Sequence, residues 1–144
     1  MTIHLIKLCV GAESIEDLAQ WQAKRIKEQK KRGVKKPQLM HVTRATPKRA
    51  EEVLDGGSLY WVIKGQIAVR QRLLDLKPVT KNGSPHCGLV YDKQLVPLQR
   101  RHHRAFQGWR YLDPEDAPPD LRIPKGGKGL PEALQAELVS LGLL

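Results

Sequence analysis

Asn82-Gly83, in the stretch KNGS from Lys81 to Ser84, lies between two runs rich in β-branched and aromatic residues. Asn-Gly readily takes the two positive φ angles of a type I′ turn, so the flanking runs are expected to fold back on each other as a hairpin. The upstream run is SLYWVIKGQIAVRQRLLDLKPV, from Ser58 to Val79; the downstream one is HCGLVYD, from His86 to Asp92. Antiparallel sheet is therefore written into the middle of the chain. Gly65 marks a tight turn or bulge within the first run. Beyond it Ile67, Val69, Gln71 and Leu73 alternate with Ala68, Arg70 and Arg72, which puts the two arginines on the wetter face. Leu73-Leu74 breaks that alternation and predicts a second bulge.

Other elements follow from periodicity and punctuation. TIHLIKLCV, residues 2–10, is apolar on both faces and reads as a central strand ended by Gly11. SIEDLAQWQAKRIKEQKKRG reads as a helix, with Ser14 as N-cap and Asp17 three residues on. Its apolar stripe is Ile15, Leu18, Ala19, Ala23 and Ile26, with Trp21 off to one side. QLMHVTR, residues 38–44, is a strand. TPKRAEEVLDGG is a short helix capped by Thr46, with Pro47 in its first turn and Gly56-Gly57 at its end. FQGWRYL, residues 106–112, is a strand with Phe106, Arg110 and Leu112 facing one way and Gln107, Trp109 and Tyr111 the other. RRHHRA before it reads as an exposed basic loop. Residues 113–130 form a Pro/Gly-rich, weakly structured arm leading to a C-terminal helix, whose stripe is Ala133, Leu134, Leu138 and Leu141. The fold class is α+β in a single domain, 1–144. A mainly antiparallel, curled sheet or partial barrel of about five to seven strands is covered by two or three helices.

Charge narrows the partner. The net charge is +10. Between Gln22 and Arg49 lie eleven of the 25 Lys and Arg residues and one of the 15 acids; the remaining bases and acids balance. A localised positive field attracts polyanions, and RNA or the ribosome is the expected partner. A solvated helix face is the alternative. No apolar run approaches the ~20 residues of a membrane span, and the N-terminus lacks the features of a signal peptide, so a cytoplasmic location is expected without a membrane. The sequence leaves the oligomeric state open.

Catalytic and metal motifs are lacking. There is no CxxC, HxxxH, HExxH or GxSxG, and adjacent His102-His103 point apart in an extended chain. No metal and no cofactor is expected. Cys9 and Cys87 read as buried thiols. KGGKGLPEAL, from Lys125, departs from the phosphate-loop pattern and reads as a linker. HVTRATPKR is the better anion site, for a small phosphorylated ligand or a backbone phosphate. His41, Thr43, Arg44, Lys48 and Arg49 would surround the N-terminus of the short helix. Backbone contacts to RNA fall to Lys30, Lys31, Arg32, Lys35 and Lys36, with Arg70, Arg72, Arg100, Arg101 and Arg104. Trp61, Trp109, Tyr111 and Arg110 are candidates for stacking or for lining a pocket, with burial in the core as the alternative for each aromatic.

HLIKLCVG, HVTR, PKRAEEVLDGGSLYWVIKG, RQR, FQGWRYL and PEDAPPDL together resemble a family of small alpha-proteobacterial proteins known as a domain of unknown function. The resemblance runs from about His4 to Leu121. It implies a bacterial cytoplasmic origin and transfers no catalytic residue. In pattern alone, a short helix ending in Gly-Gly before long curled strands is similar to PUA-like barrels, many of which bind RNA. Three functional readings stand on this sequence. They are a non-enzymatic RNA- or ribosome-associated protein, an enzyme or sensor for a phosphorylated or nucleotide ligand, and a protein–protein adaptor using the proline arm.

Overall fold

Two hairpin turns organise the sheet. Lys64-Gly65 has φ angles of 50° and 74°, and Asn82-Gly83 has 51° and 77°. Both pairs therefore make the type I′ geometry that matches the right-handed twist of paired strands. Gly65 is thus a hairpin turn that divides the long upstream run into two strands. The computed structural model describes residues 1–122, 128–129 and 131–141. Its strands are β1 (His4–Leu8), β2 (Leu39–Thr43), β3 (Ser58–Ile63), β4 (Gln66–Lys81), β5 (Ser84–Tyr91), β6 (Val96–His102) and β7 (Trp109–Leu112). Its helices are α1 (Ile15–Lys31), α2 (Ala50–Leu54) and α3 (Glu132–Ser140).

The strand order is β2-β5-β4-β3-β1-β7, with β6 also on β4. Only β1 and β3 run parallel; the other pairs are antiparallel. One edge of β4 pairs with β3, and the other takes β5 and then β6 in succession. Two register shifts bend β4. One lies around Ala68, where Ile67 and Val69 pair across an extra residue. The other leaves Leu74 outside the pairing and 54% exposed, as the broken alternation at Leu73-Leu74 predicts. The sheet curls but stays open, since β2 and β7 form no ladder with each other among the described residues.

The shift at Ala68 corrects the reading of one face for Ile67 and Val69. Val69 packs with Leu5, Leu59 and Trp61 beneath α1, whereas Ile67 packs on the opposite face with Ile6, Tyr60, Val62, Leu98 and Phe106. Every residue of β3 is buried, as a strand covered on both sides requires.

Ser14 caps α1 as expected, its hydroxyl accepting from the Asp17 N–H at 3.1 Å. The Asp17 carboxylate accepts from the Glu13 N–H at 3.0 Å. On the stripe, Ile15 and Leu18 are buried, while Ala23 is exposed and Gln22 is buried instead. The expected helix from Thr46 is shorter: α2 is five residues long, and its N-cap, Arg49, makes no side-chain capping bond. Thr46 lies in hydrogen-bonding reach of the Cys87 thiol.

Two segments expected to be loose are ordered. Arg100, Arg101 and His102 belong to β6 rather than to a loop. The first part of the proline arm turns through a 3-10 helix at Pro114–Asp116 and then runs along β6. There Gln99 N–H donates to Pro119 O at 3.0 Å, and Leu121 N–H donates to Pro97 O at 2.9 Å. Pro118 and Pro119 are tolerated because the bonds to β6 use the Pro119 carbonyl and the Leu121 N–H, so no proline N–H is needed. Residues 123–127 of the arm and of KGGKGLPEAL, and Leu130, lie outside the described residues. α3 anchors through Leu138, which is fully buried, and Glu137, whose carboxylate accepts from the Ile15 N–H at 2.8 Å.

Candidate functional site

The cationic end of α1 is held in place by a glutamine. The Gln29 side chain donates to Gln38 O at 2.7 Å and accepts from Gln38 N–H at 2.9 Å, tying the helix to the start of β2. Lys77 of the long hairpin donates to the Gln38 side chain at 2.9 Å. Lys27, Lys30, Lys31, Arg32, Lys35 and Lys36 are exposed around this clamp. None of them enters an ion pair among the described residues.

The other arginines expected on the same surface have different positions. Arg70 makes two 2.8 Å bonds to the Asp120 carboxylate and a third, of 3.1 Å, to the Ser58 hydroxyl. Arg100 pairs with Glu137 at 2.8 Å. Arg101 donates to the Asp116 carbonyl at 2.8 Å. These three fasten the arm and α3 to the sheet. Arg72 and Arg104 are exposed. Arg72 borders a groove of about 460 Å³ with His4, Tyr60 and Asp120. His4 there accepts from the Ser58 N–H at 3.0 Å, and burial, then Arg70, lowers its pKa.

The side chains of HVTRATPKR are divided among separate partners. The Thr43 hydroxyl donates to Ala45 O at 3.1 Å, and Arg49 is committed to Glu52 in an ion pair. Arg44 and Lys48 are exposed. His41 points away from them to meet Trp61, ring edge to ring face, at 6.1 Å.

The aromatics divide as their strand positions dictate. Trp109 and Tyr111 share a face and contact each other at 5.0 Å. The Trp109 N–H donates to Ala45 O at 2.8 Å, and the Tyr111 hydroxyl accepts from the Arg49 N–H at 3.1 Å. They clamp the 44–49 loop instead of forming an open platform. Arg110, on the other face, lies 5.0 Å from the Phe106 ring centre. Trp61 is buried, and its N–H donates to Gln71 at 3.0 Å.

Trp61 also forms the floor of a pocket of about 110 Å³ between α1 and the mouth of the curled sheet. Lys7, Cys9, Trp21, Arg25, His41 and Tyr91 border it with apolar neighbours. No carboxylate lines it. Burial, with the positive charges of Lys7, Arg25 and Lys81, drives the His41 pKa down to about 4. Burial pushes the Cys9 thiol up to about 11 and lowers the Lys7 pKa. Cys9 is therefore a protonated, inert thiol at neutral pH. The Tyr91 hydroxyl lies near Gln22 and Arg25, which partly offset the rise in its pKa caused by burial. Sequence reasoning missed Lys7, Arg25, Gln22 and Tyr91 as a group. The available signal was Gln22 itself, which stands four residues from both Leu18 and Ile26, on the buried stripe. Among the described residues no cluster of three His, Cys, Asp or Glu side chains is arranged to hold a metal.

Fold and site together define a small α+β protein with an open, curled, mainly antiparallel sheet, an unneutralised cationic helix end and a cation-lined pocket at the sheet mouth. The chain belongs to the family described as "Protein of unknown function (DUF1489)", whose model matches residues 5–144. Comparison with curated proteins and with solved structures returns no match. The similarity to PUA-like barrels therefore remains one of pattern. Among the described residues no helix is long and apolar enough to cross a membrane.

Proposed function

We propose that this protein is a cytoplasmic, non-enzymatic RNA-binding protein, of the ribosome-associated kind, that holds backbone phosphates with the cationic end of α1. One observation carries the reading. Lys27, Lys30, Lys31, Arg32, Lys35 and Lys36 crowd the clamped, exposed end of α1 with one acid, Glu28, in the same segment, and none of the six enters an ion pair among the described residues. Charges of one sign held together repel one another, and a polyanion relieves that repulsion while releasing its own counterions. Arg70, Arg100 and Arg101 are excluded from the phosphate-contacting set because protein groups already occupy them. The adaptor reading loses support because the described part of the proline arm packs on β6 around Pro119 and Leu121.

The test is RNA affinity as a function of salt. Six single-strand phosphate contacts, at ~0.7 each on the log–log slope, predict a loss of about 300-fold between ~50 and ~200 mM salt. Reversing Lys30, Lys31, Lys35 and Lys36 to Glu should weaken every RNA tested and flatten the log–log salt slope by about 3, at ~0.7 per single-strand phosphate contact. Unchanged affinity in that variant sinks the reading.

A further inference from the structure

We propose that the pocket at the sheet mouth binds a small organic carboxylate with an apolar body, a ligand class separate from the RNA held on α1. The pocket brings Lys7 from β1 and Arg25 from α1 to one half-buried space with no carboxylate on its lining. The Lys7 ammonium forms no ion pair with a described residue, although the residue is only partly exposed. A partly desolvated ammonium without a partner is costly, and an anionic ligand offsets that cost. Arg25 adds a second cation on the same lining, beside Tyr91.

The remaining wall decides between kinds of anion. Leu18, Trp21, Trp61 and Tyr91 give it a predominantly apolar and aromatic lining. A bare phosphate would leave that surface unused, whereas a ring or branched chain would cover it. The volume, about 110 Å³, is well under the roughly 300 Å³ lower bound of drug-sized ligand sites, so a nucleotide is too large. It approaches the roughly 150 Å³ of an apolar cavity known to admit benzene. His41 stays neutral beside the two cations, so it offers one N–H donor to a carboxylate without demanding a second anion.

The probe is sodium benzoate, titrated at neutral pH and low salt and followed by amide shifts and tryptophan emission. Inorganic phosphate and benzyl alcohol supply the anion alone and the ring alone. Benzoate should saturate, shift the Cys9 and Trp61 amides, and raise the His41 titration midpoint above about 4. Both Lys7→Met and Arg25→Gln should weaken it at least tenfold; Arg25 is exposed, so the second variant keeps the test valid if the first does not fold. The α1 reversal of Lys30 and Lys31 should leave benzoate affinity unaltered, which separates this site from the RNA surface. No saturable shift up to about 10 mM overturns the proposal. So does phosphate or benzyl alcohol binding as tightly as benzoate, or undiminished benzoate affinity in both pocket variants.

Discussion

Gln22 and Gln71 face each other in the core and exchange two hydrogen bonds of 2.7 Å, each amide donating to the other's oxygen. Gln71 is fully buried and every polar valence is used: its oxygen also accepts from Trp61, and its nitrogen also donates to Asp92 O at 2.9 Å. This pair joins α1 to the sheet at the base of the proposed carboxylate pocket. Gln71→Ala strands the Trp61 N–H and the Gln22 amide and should cost about 2–4 kcal/mol, since each buried unsatisfied group costs ~1–3 kcal/mol. Gln22→Ala should cost less. Chemical denaturation of both single variants and the double checks this, and strong non-additivity is expected between contacting residues.

His41 gives the stability a defined pH dependence. Its folded pKa of about 4 lies below the ordinary 6.5 of the unfolded chain. Between these values the unfolded state binds more protons, so stability is complete above about pH 6.5 and falls as pH drops toward 4. The loss is bounded by about 3 kcal/mol at ~1.4 kcal/mol per pKa unit. His41→Phe should flatten the profile across that window, measured by denaturant midpoints at stepped pH.

These two cases also mark how far the residues alone could be read. The hairpin at Asn82-Gly83, the Ser14 cap and the bulge at Leu74 follow from local chemistry, which acts over a few residues and leaves a pattern in the string. β6 was illegible because VPLQRRH has a proline and three consecutive charged or titratable residues; it is a strand because β4 offers it an unpaired edge. The pocket was illegible for the same reason. Lys7, Arg25, His41 and Tyr91 come from four elements, and only the curl of the sheet brings them together. The cationic helix end was visible because its residues are neighbours in the chain.

Arg70 and Asp120 latch the arm to the sheet through a bidentate pair. Asp120→Asn should release the arm at a modest cost, on the order of 1 kcal/mol for a pair this exposed, and speed proteolysis within residues 113–122. Arg70 depresses the Asp120 pKa below the ordinary 3.8, so the latch is intact above that value and weakens as pH falls below it. Wild type and variant should differ in the protease readout at pH 7 and draw together as pH falls below 3.8.

Gly57 sits where a Cβ would run into the backbone carbonyls of Val53 and Ile3. Neither carbonyl can rotate away as a side chain would, because α2 and the start of β1 hold them. Gly57→Ala should therefore destabilise the fold by about 1–3 kcal/mol, the range for overpacking in a filled interior. Gly83→Ala meets no atom and should cost less, through its positive φ alone. Thermal melts of the two variants distinguish the mechanisms.

The placement of β1 inside the sheet has a consequence for biosynthesis. β1 is made before the strands it lies between, β3 and β7, and His4 pairs with Leu112, more than 100 residues later. A nascent chain therefore carries an apolar strand with both edges unpaired until β3 is made, and with one edge still unpaired until β7 is made. Such long-range closure slows folding and exposes the intermediate to aggregation.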